Sequence, residues 1–342
     1  YMRPLLKNLK LVASSTCVYA FCVLFPTVAS CSESGKSIDD VLPPMEADSS
    51  STAIEQRIVM VEQSQHQVII VDRESGETLW TWNAAQSGLS REEQKWFELP
   101  DEVKPIYNGK YLLVTGTRGG VGIVRISDKK MMFYAEPKGS PHSAELLPDG
   151  NVVVACSDDP EGNKLALYRV DTLSPLAKEP LHEYELYFGH NAVWDKNREV
   201  LWATAGDELR SYTYEDENLT LQEVYALPSG EKDAHDLFPV YGEENLLWLT
   251  TTTGVFQFDT DSKQFTKQDV NPSTNIKSIS NGPEDYPIIM LQPTESWWSH
   301  RMVDSFNHVI YSHTGYQIYK GRWMLDNVFS YPETHDFIQP KH

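Results

Sequence analysis

Positive charge is scarce in this chain. Its 342 residues hold 29 Lys and Arg against 49 Asp and Glu, a net charge of −20. So acidic a chain argues against nucleic acid and anionic membrane surfaces as partners. It leaves room for an anionic small ligand, because local charge can oppose the net charge. Cysteine is scarcer still, with four residues: Cys17, Cys22, Cys31 and Cys156. Also missing are a Gly-rich phosphate loop, a His-Glu-x-x-His pair, a nucleophile elbow and a zinc-type Cys-x-x-Cys. Gly119-Gly120 is a turn signal only. After residue 54 neither a low-complexity segment nor a second domain is evident.

The first thirty residues read as a signal rather than as fold. Arg3, Lys7 and Lys10 form a basic start, an apolar run follows to Ala29, and small residues precede Cys31. The pattern is that of a secretory signal peptide, residues 1–30. The junction Val28-Ala29-Ser30-Cys31 resembles the lipobox of bacterial lipoproteins, which implies lipidation of Cys31 and a lipid-anchored place in the cell envelope, periplasmic or on the outer-membrane surface. Cys17 and Cys22 then leave with the signal, and a lipidated Cys31 leaves Cys156 no disulfide partner. Cys156, inside the run 152–156, reads as a small buried hydrophobe. Residues 31–53, rich in Ser, Glu, Asp and Pro, read as a flexible tether. Residues 54–342 form one domain.

That domain repeats. His142 opens a short apolar strand, Asp149-Gly150 turns it, and Val152-Val153-Val154 follows. The same order returns from His190 and again from His235, at a spacing of roughly 40 to 50 residues with about four short strands per unit, the signature of a β-propeller. The expected class is all-β: a propeller of six four-stranded antiparallel blades, with five or seven also compatible. Strands are expected at 58–61, 67–72 and 78–82 in blade one. Blade two is expected at 102–107, 110–115, 122–126 and 131–135. Blades three to five start at His142, His190 and His235, and blade six at 276–279 and 287–291, with 301–306 and 319–324 as its outer part. Blade one lacks an innermost strand of its own, so the ring should close by pairing the two ends of the chain. Residues 84–98 form a polar, partly helical insertion. Trp194, Trp202 and Trp248 lie inside strands and should pack between blades.

In such a ring the first strand of each blade lines the channel, and the loop entering it shares a face with the loop between the second and third strands. Counting back from the second strands gives a channel-mouth ring of Asp101, His142, His190, His235 and Lys277. The rim loops add Thr117 and Arg118, Ser157 to Asp159, Asp207, Thr250 to Thr253, and Trp297-Trp298-Ser299-His300-Arg301. Aromatic faces beside polar groups suit a sugar. Ligand-binding candidates are therefore Asp101, Arg118, Lys277, Trp297, Trp298, His300 and Arg301. Three imidazoles at one repeat position could hold a divalent metal, Zn²⁺, Mn²⁺ or Fe²⁺, through His142, His190 and His235. They could equally bond one another or a ligand hydroxyl.

The blade openings His-Ser-Ala-Glu-Leu-Leu-Pro-Asp-Gly-Asn (142–151), His-Asn-Ala-Val-Trp-Asp (190–195) and His-Asp-Leu-Phe-Pro-Val (235–240), with Trp-Trp-Ser-His-Arg (297–301), resemble an uncharacterised family of secreted Bacteroidetes-type lipoprotein propellers. A more distant similarity, carried by the histidine ring alone, is to propeller polysaccharide lyases such as the oligogalacturonate lyases. It implies cleavage of an acidic carbohydrate, with Arg118, Arg301, Lys277 or a metal neutralising the uronate and His190 or His235 as the catalytic base. A hydrolase would instead draw a carboxylate pair from Asp158, Asp159, Asp207 or Asp236. The competing expectation is a non-catalytic glycan- or protein-binding module or scaffold. An electron-transfer quinoprotein fits less well, since only Thr78-Leu79-Trp80-Thr81-Trp82 carries the tryptophan ending. The partner expected on either reading is a carbohydrate or other small polar ligand.

Overall fold

The computed structural model describes residues 55–157 and 160–337. The proposed signal and the whole tether, Cys31 included, lie outside them, as do Asp158 and Asp159. The described chain is almost entirely β, in six sheets. Blade two runs outward from Pro100–Ile106 through Tyr111–Gly116 and Gly120–Arg125 to Met131–Ala135. Blades three to six start at Pro141–Leu146, Asn191–Asp195, Asp236–Pro239 and Ser278–Ser280. Adjacent strands pair antiparallel within each. The reason is local. Short β-branched and apolar runs, interrupted by Gly, Asn and Asp turns, hold too little hydrophobic face to stand alone, so each blade buries its faces against its neighbours. Between blades three and four, for instance, Leu147, Val153, Leu165 and Leu186 meet Ala192, Leu201 and Tyr212.

The ring closes as the repeat implies. Ile318–Trp323, near the chain's end, is the innermost strand of blade one and pairs antiparallel with Arg57–Glu62. This corrects the expectation for 319–324, which are not the outer part of blade six. Val309–Ser312 holds that outer place. Gly321 sits where the closing strand presses on its neighbours, since a Cβ there would meet Met302 Sδ at 2.6 Å. Blade two gains a fifth strand that the repeat does not foretell: Leu176–Ala177, from the long connection inside blade three, pairs parallel with Met131–Ala135. The insertion holds a 3₁₀ turn, Ala84–Ser87, and a short helix, Arg91–Lys95, each with a capping box.

Trp194, Trp202 and Trp248 are buried. The indole N–H of Trp202 donates to Asp195 Oδ2 at 3.2 Å and that of Trp248 to Asn281 Oδ1 at 2.9 Å, as buried indoles require. Cys156 is a buried free thiol. No helix among the described residues is long and apolar enough to cross a membrane.

Residues 324–337 run beneath the ring, opposite the histidine end. Met324 N donates to Arg57 O at 2.8 Å, and Lys196 N to Phe329 O at 3.4 Å. The Tyr331 hydroxyl donates to Glu145, and His335 N donates to Asn108 Oδ1 at 2.9 Å. Phe329, Ser330 and Tyr331 are buried and cover the lower end of the channel. The upper end is the mouth.

Candidate functional site

Each innermost strand has one edge that faces the channel with no ladder partner, and its N–H and C=O groups still need partners. Polar side chains of adjoining blades supply them. Ala192 N donates to Ser143 Oγ at 3.3 Å, Ile279 N to Asp236 Oδ2 at 2.9 Å, and Gly321 N to Ser278 Oγ at 3.0 Å. Lys104 Nζ donates to Ala144 O at 2.9 Å and Ala192 O at 2.7 Å. This is why the channel is lined by polar residues at one register in every blade: Lys320, Glu102, Ser143, Asn191, Asp236 and Ser278, all buried. One residue earlier in each strand lies the mouth ring of Tyr319, Asp101, His142, His190, His235 and Lys277.

The structure brings the ring's expected members together as a continuous arc. Thr117 Oγ1 donates to Asp101 Oδ2 at 2.9 Å, and that oxygen lies 2.8 Å from His142 Nδ1. His142 stacks on His190 with centroids 4.2 Å apart and an interplanar angle of 12°. His190 meets His235 edge-on at 5.9 Å, and Lys277 Nζ stands 3.2 and 3.3 Å from the two His235 nitrogens. Tyr319 completes the ring, its centroid 6.5 Å from His142. Local backbone explains the aim. The pairing of blade three shifts between Pro141 and Ser143, and that of blade two between Pro100 and Val103. His142 and Asp101 thus sit in bulges, which redirect a side chain. His190, His235 and Lys277 each extend their strand by one hydrogen bond, to Thr204 O, Thr250 O and Leu291 O at 3.3, 2.9 and 2.8 Å.

Burial and neighbouring charges shift the titratable groups of the cup. Burial, with the charges of His142, His235 and Lys320, holds His190 well below the ordinary imidazole range. Burial, then Lys277 and Lys320, brings His235 down to about 3. Burial and Lys320 bring Lys277 down to about 8, against the pull of Asp101 and Asp233. His190 and His235 are therefore neutral at pH 7; the His190 Nδ1–H donates to Phe188 O at 3.2 Å, which leaves its Nε2 as an acceptor.

A metal ligand binds along the lone pair in the plane of its ring, and the planes of His142 and His190 are parallel and stacked. As placed, these two imidazoles do not converge on one point, and among the described residues no group of three or more His, Cys, Asp or Glu is arranged to hold a metal ion.

The other expected residues divide. Trp297 stands half exposed, its N–H donating to Gln63 Oε1 at 2.9 Å, and Gln63 Nε2 donates to Pro100 O at 3.1 Å, beside Asp101. It is thereby tied to the mouth. Arg118 is exposed at the tip of its rim loop. Trp298, His300 and Arg301 follow on the same loop, and their backbone groups make local hydrogen bonds: Thr294 N to Trp298 O at 3.1 Å, His313 N to His300 O at 2.9 Å, and Arg301 N to Ser299 Oγ at 3.2 Å. Asp236 is committed below the ring, where Arg322 donates to both its oxygens at 2.7 and 3.0 Å. The residues that sequence reasoning missed are Tyr319, Lys320 and Arg322. Their signal was the alternation Tyr319-Lys320-Gly321-Arg322-Trp323, read as blade six.

Six blades, a ring closed by both chain ends and a polar mouth above a covered lower end define a β-propeller built around one axial cup. The chain belongs to a family of unknown function, DUF6528, whose pattern matches residues 14–341. No curated protein matches it. Among solved structures it is similar to a protein of unknown function from Bacteroides caccae, with a TM-score of 0.54 and 14% identity, over 79% of this chain and 99% of that one. It is also similar to the hydrazine synthase of Kuenenia stuttgartiensis, with a TM-score of 0.50 and 14% identity, over 71% of this chain and 72% of that one. At such identities the likeness is one of fold.

Proposed function

We propose that this propeller binds an acidic carbohydrate in the mouth of its channel. The observation that carries the reading is Lys277, a cation in the cup that stands against His235 and, among the described residues, makes no ion pair with a carboxylate within 4.0 Å. Lys320 repels it from below. A ligand carboxylate would supply the missing counter-charge, and its binding would favour the ammonium form of Lys277. The neutral imidazole of His235 and the Nε2 lone pair of His190, with Thr117 and Asp101, offer donors and acceptors for hydroxyls. Trp297, tied through Gln63 to the mouth, offers a face for a sugar ring. Arg118 is a second cation at the rim. The test is titration with an oligogalacturonide and with a neutral oligosaccharide of equal length. Saturable binding of the acid alone supports the reading, and binding of neither sinks it.

A lyase is the catalytic form of the same proposal, favoured by the closeness of Lys277 to a neutral His235. His235 would take the C5 proton of the uronate, the electron pair would form the C4–C5 double bond, and the C4–O bond would break, its oxygen leaving with a proton from water. Lys277 would neutralise the carboxylate meanwhile. Unsaturated product absorbs in the ultraviolet. Its formation by the parent and not by a folded His235→Gln variant supports the lyase, and binding without product leaves the binding module.

We also propose that Cys31 anchors the protein in the cell envelope, supported by the basic start, apolar run and small-residue junction of residues 1–30. Incorporation of a labelled fatty acid, lost in Cys31→Ser, tests this.

A further inference from the structure

The loop that enters blade four carries two aromatic rings outside the cup, Tyr187 and Phe188. Phe188 holds a left-handed backbone, with φ 51°. A bulky residue keeps that conformation only where its surroundings fix it. Here they do. Asn163 Oδ1, at the start of the third strand of blade three, accepts from Phe188 N at 2.8 Å. Phe188 O accepts from His190 Nδ1 at 3.2 Å. The Phe188 ring packs on that of His190, with centroids 4.2 Å apart and 39° between the planes. The turn brings Tyr187 to the surface, 66% exposed. Tyr187 is nonetheless placed. Its carbonyl accepts from Gly206 N at 3.0 Å, and its ring lies so close to Gly206 that a Cβ there would stand 3.3 Å from ring atom Cδ1. The centroids of Tyr187 and Phe188 are 6.5 Å apart. A file of rings thus runs from the exposed Tyr187 through Phe188 and His190 to His142 and its Asp101 partner.

On the other side stands Trp297, half exposed and tied to Gln63. Gln63 directly follows the blade-one strand Arg57–Glu62, and Gly206 directly follows the blade-four strand Val200–Ala205. In a ring of six, blades one and four face each other. Two exposed and positioned aromatic rings therefore flank the cup from opposite sides, as stacking on the rings of one extended ligand requires.

We propose that Tyr187 is a second stacking platform, and that the ligand is a sugar chain laid across the mouth, with one ring on Tyr187, one on Trp297 and a uronate over Lys277 between them. The inference rests on the acidic-sugar reading and narrows it from any acidic carbohydrate to an oligomer that spans the mouth.

The test is calorimetry on the full chain with galacturonic acid and its oligomers of increasing length. In the parent, affinity should rise with length and level off once the chain spans the mouth. In Tyr187→Ala the gain with length should shrink by about three- to tenfold. Tyr187→Phe, which retains the ring, should restore it. The exposure of Tyr187 makes both substitutions compatible with the fold, which circular dichroism checks. Affinity independent of length in the parent, a gain unchanged in Tyr187→Ala, or a loss equal at every length overturns the platform and leaves the acidic-sugar reading standing. Failure of the parent to bind the acid at any length overturns both.

Discussion

Arg322 and Asp236 lie 86 residues apart and meet through two contacts, of 2.7 and 3.0 Å. The guanidinium also reaches Glu102 at 2.7 Å. One side chain from the closing strand thereby joins the innermost strands of blades five and two across the channel. Burial works against the charges of Glu102 and Arg322, and the opposite charges outweigh it. Glu102 falls to about 2 although burial alone would raise it, because Lys104, Lys320 and Arg322 surround it.

Breaking that clasp should be costly. Asp236→Ala leaves the Arg322 charge buried with Glu102 as its remaining carboxylate, and loss of one partner of a buried pair costs about 3–5 kcal/mol. Urea unfolding of parent and variant measures it. A loss below about 1 kcal/mol, the scale of exposed pairs, would mean that the clasp does not hold the ring closed.

A smaller loss is expected at the lower end. Glu145 is fully buried, its carboxyl pushed up by burial, and the Tyr331 hydroxyl donates to it from the segment under the ring. Tyr331→Phe keeps the ring's packing and removes the donor. About 1–3 kcal/mol should be lost, read by the same unfolding measurement. An unchanged midpoint would show that Lys104 and Leu146 N satisfy Glu145 unaided.

The propeller and most of the mouth were legible because the repeat is regular where blades are complete. His142, His190 and His235 stand at one position of a recurrent strand–turn–strand unit, and counting from the second strands recovers Asp101 and Lys277. The closing strand was not legible as such. Ile318–Trp323 has no second strand after it, since its partner Arg57–Glu62 lies at the other end of the domain, so periodicity assigned it to blade six. Lys320 and Arg322 were lost with it. The loop containing Trp297, Trp298 and His300 was read as part of the rim, and of these Trp297 bonds to Gln63 beside the mouth. Which side chains lean to the axis depends on contacts such as Trp297 with Gln63, and no period encodes these.

Acid should weaken the fold through the same groups. His235 has a folded pKa of about 3 against an ordinary 6.5, and His190 is shifted the same way. The unfolded chain therefore binds more protons across that window, and stability falls as pH drops from about 6.5 towards 3. Lys277, lowered from 10.5 to about 8, acts likewise: stability falls as pH drops from 10.5 to 8 and levels off below. Glu145, raised, works in the opposite sense and offsets part of the loss in acid. Unfolding free energies at pH 7.5 and 5.5 should differ, and His235→Gln should flatten the slope. An equal slope in parent and variant would contradict the neutral imidazole.

The cup as an acid-recognising site stands or falls on charge. The direct measurement is a calorimetric comparison of an oligogalacturonide with its methyl ester, which keeps the sugar and removes the negative charge. The account predicts saturable binding of the acid, and binding of the ester at least about tenfold weaker, equivalent to about 1.4 kcal/mol. In a folded Lys277→Met variant that difference should disappear. Equal affinity for acid and ester in the parent, or a preference for the acid that survives in Lys277→Met, would contradict it.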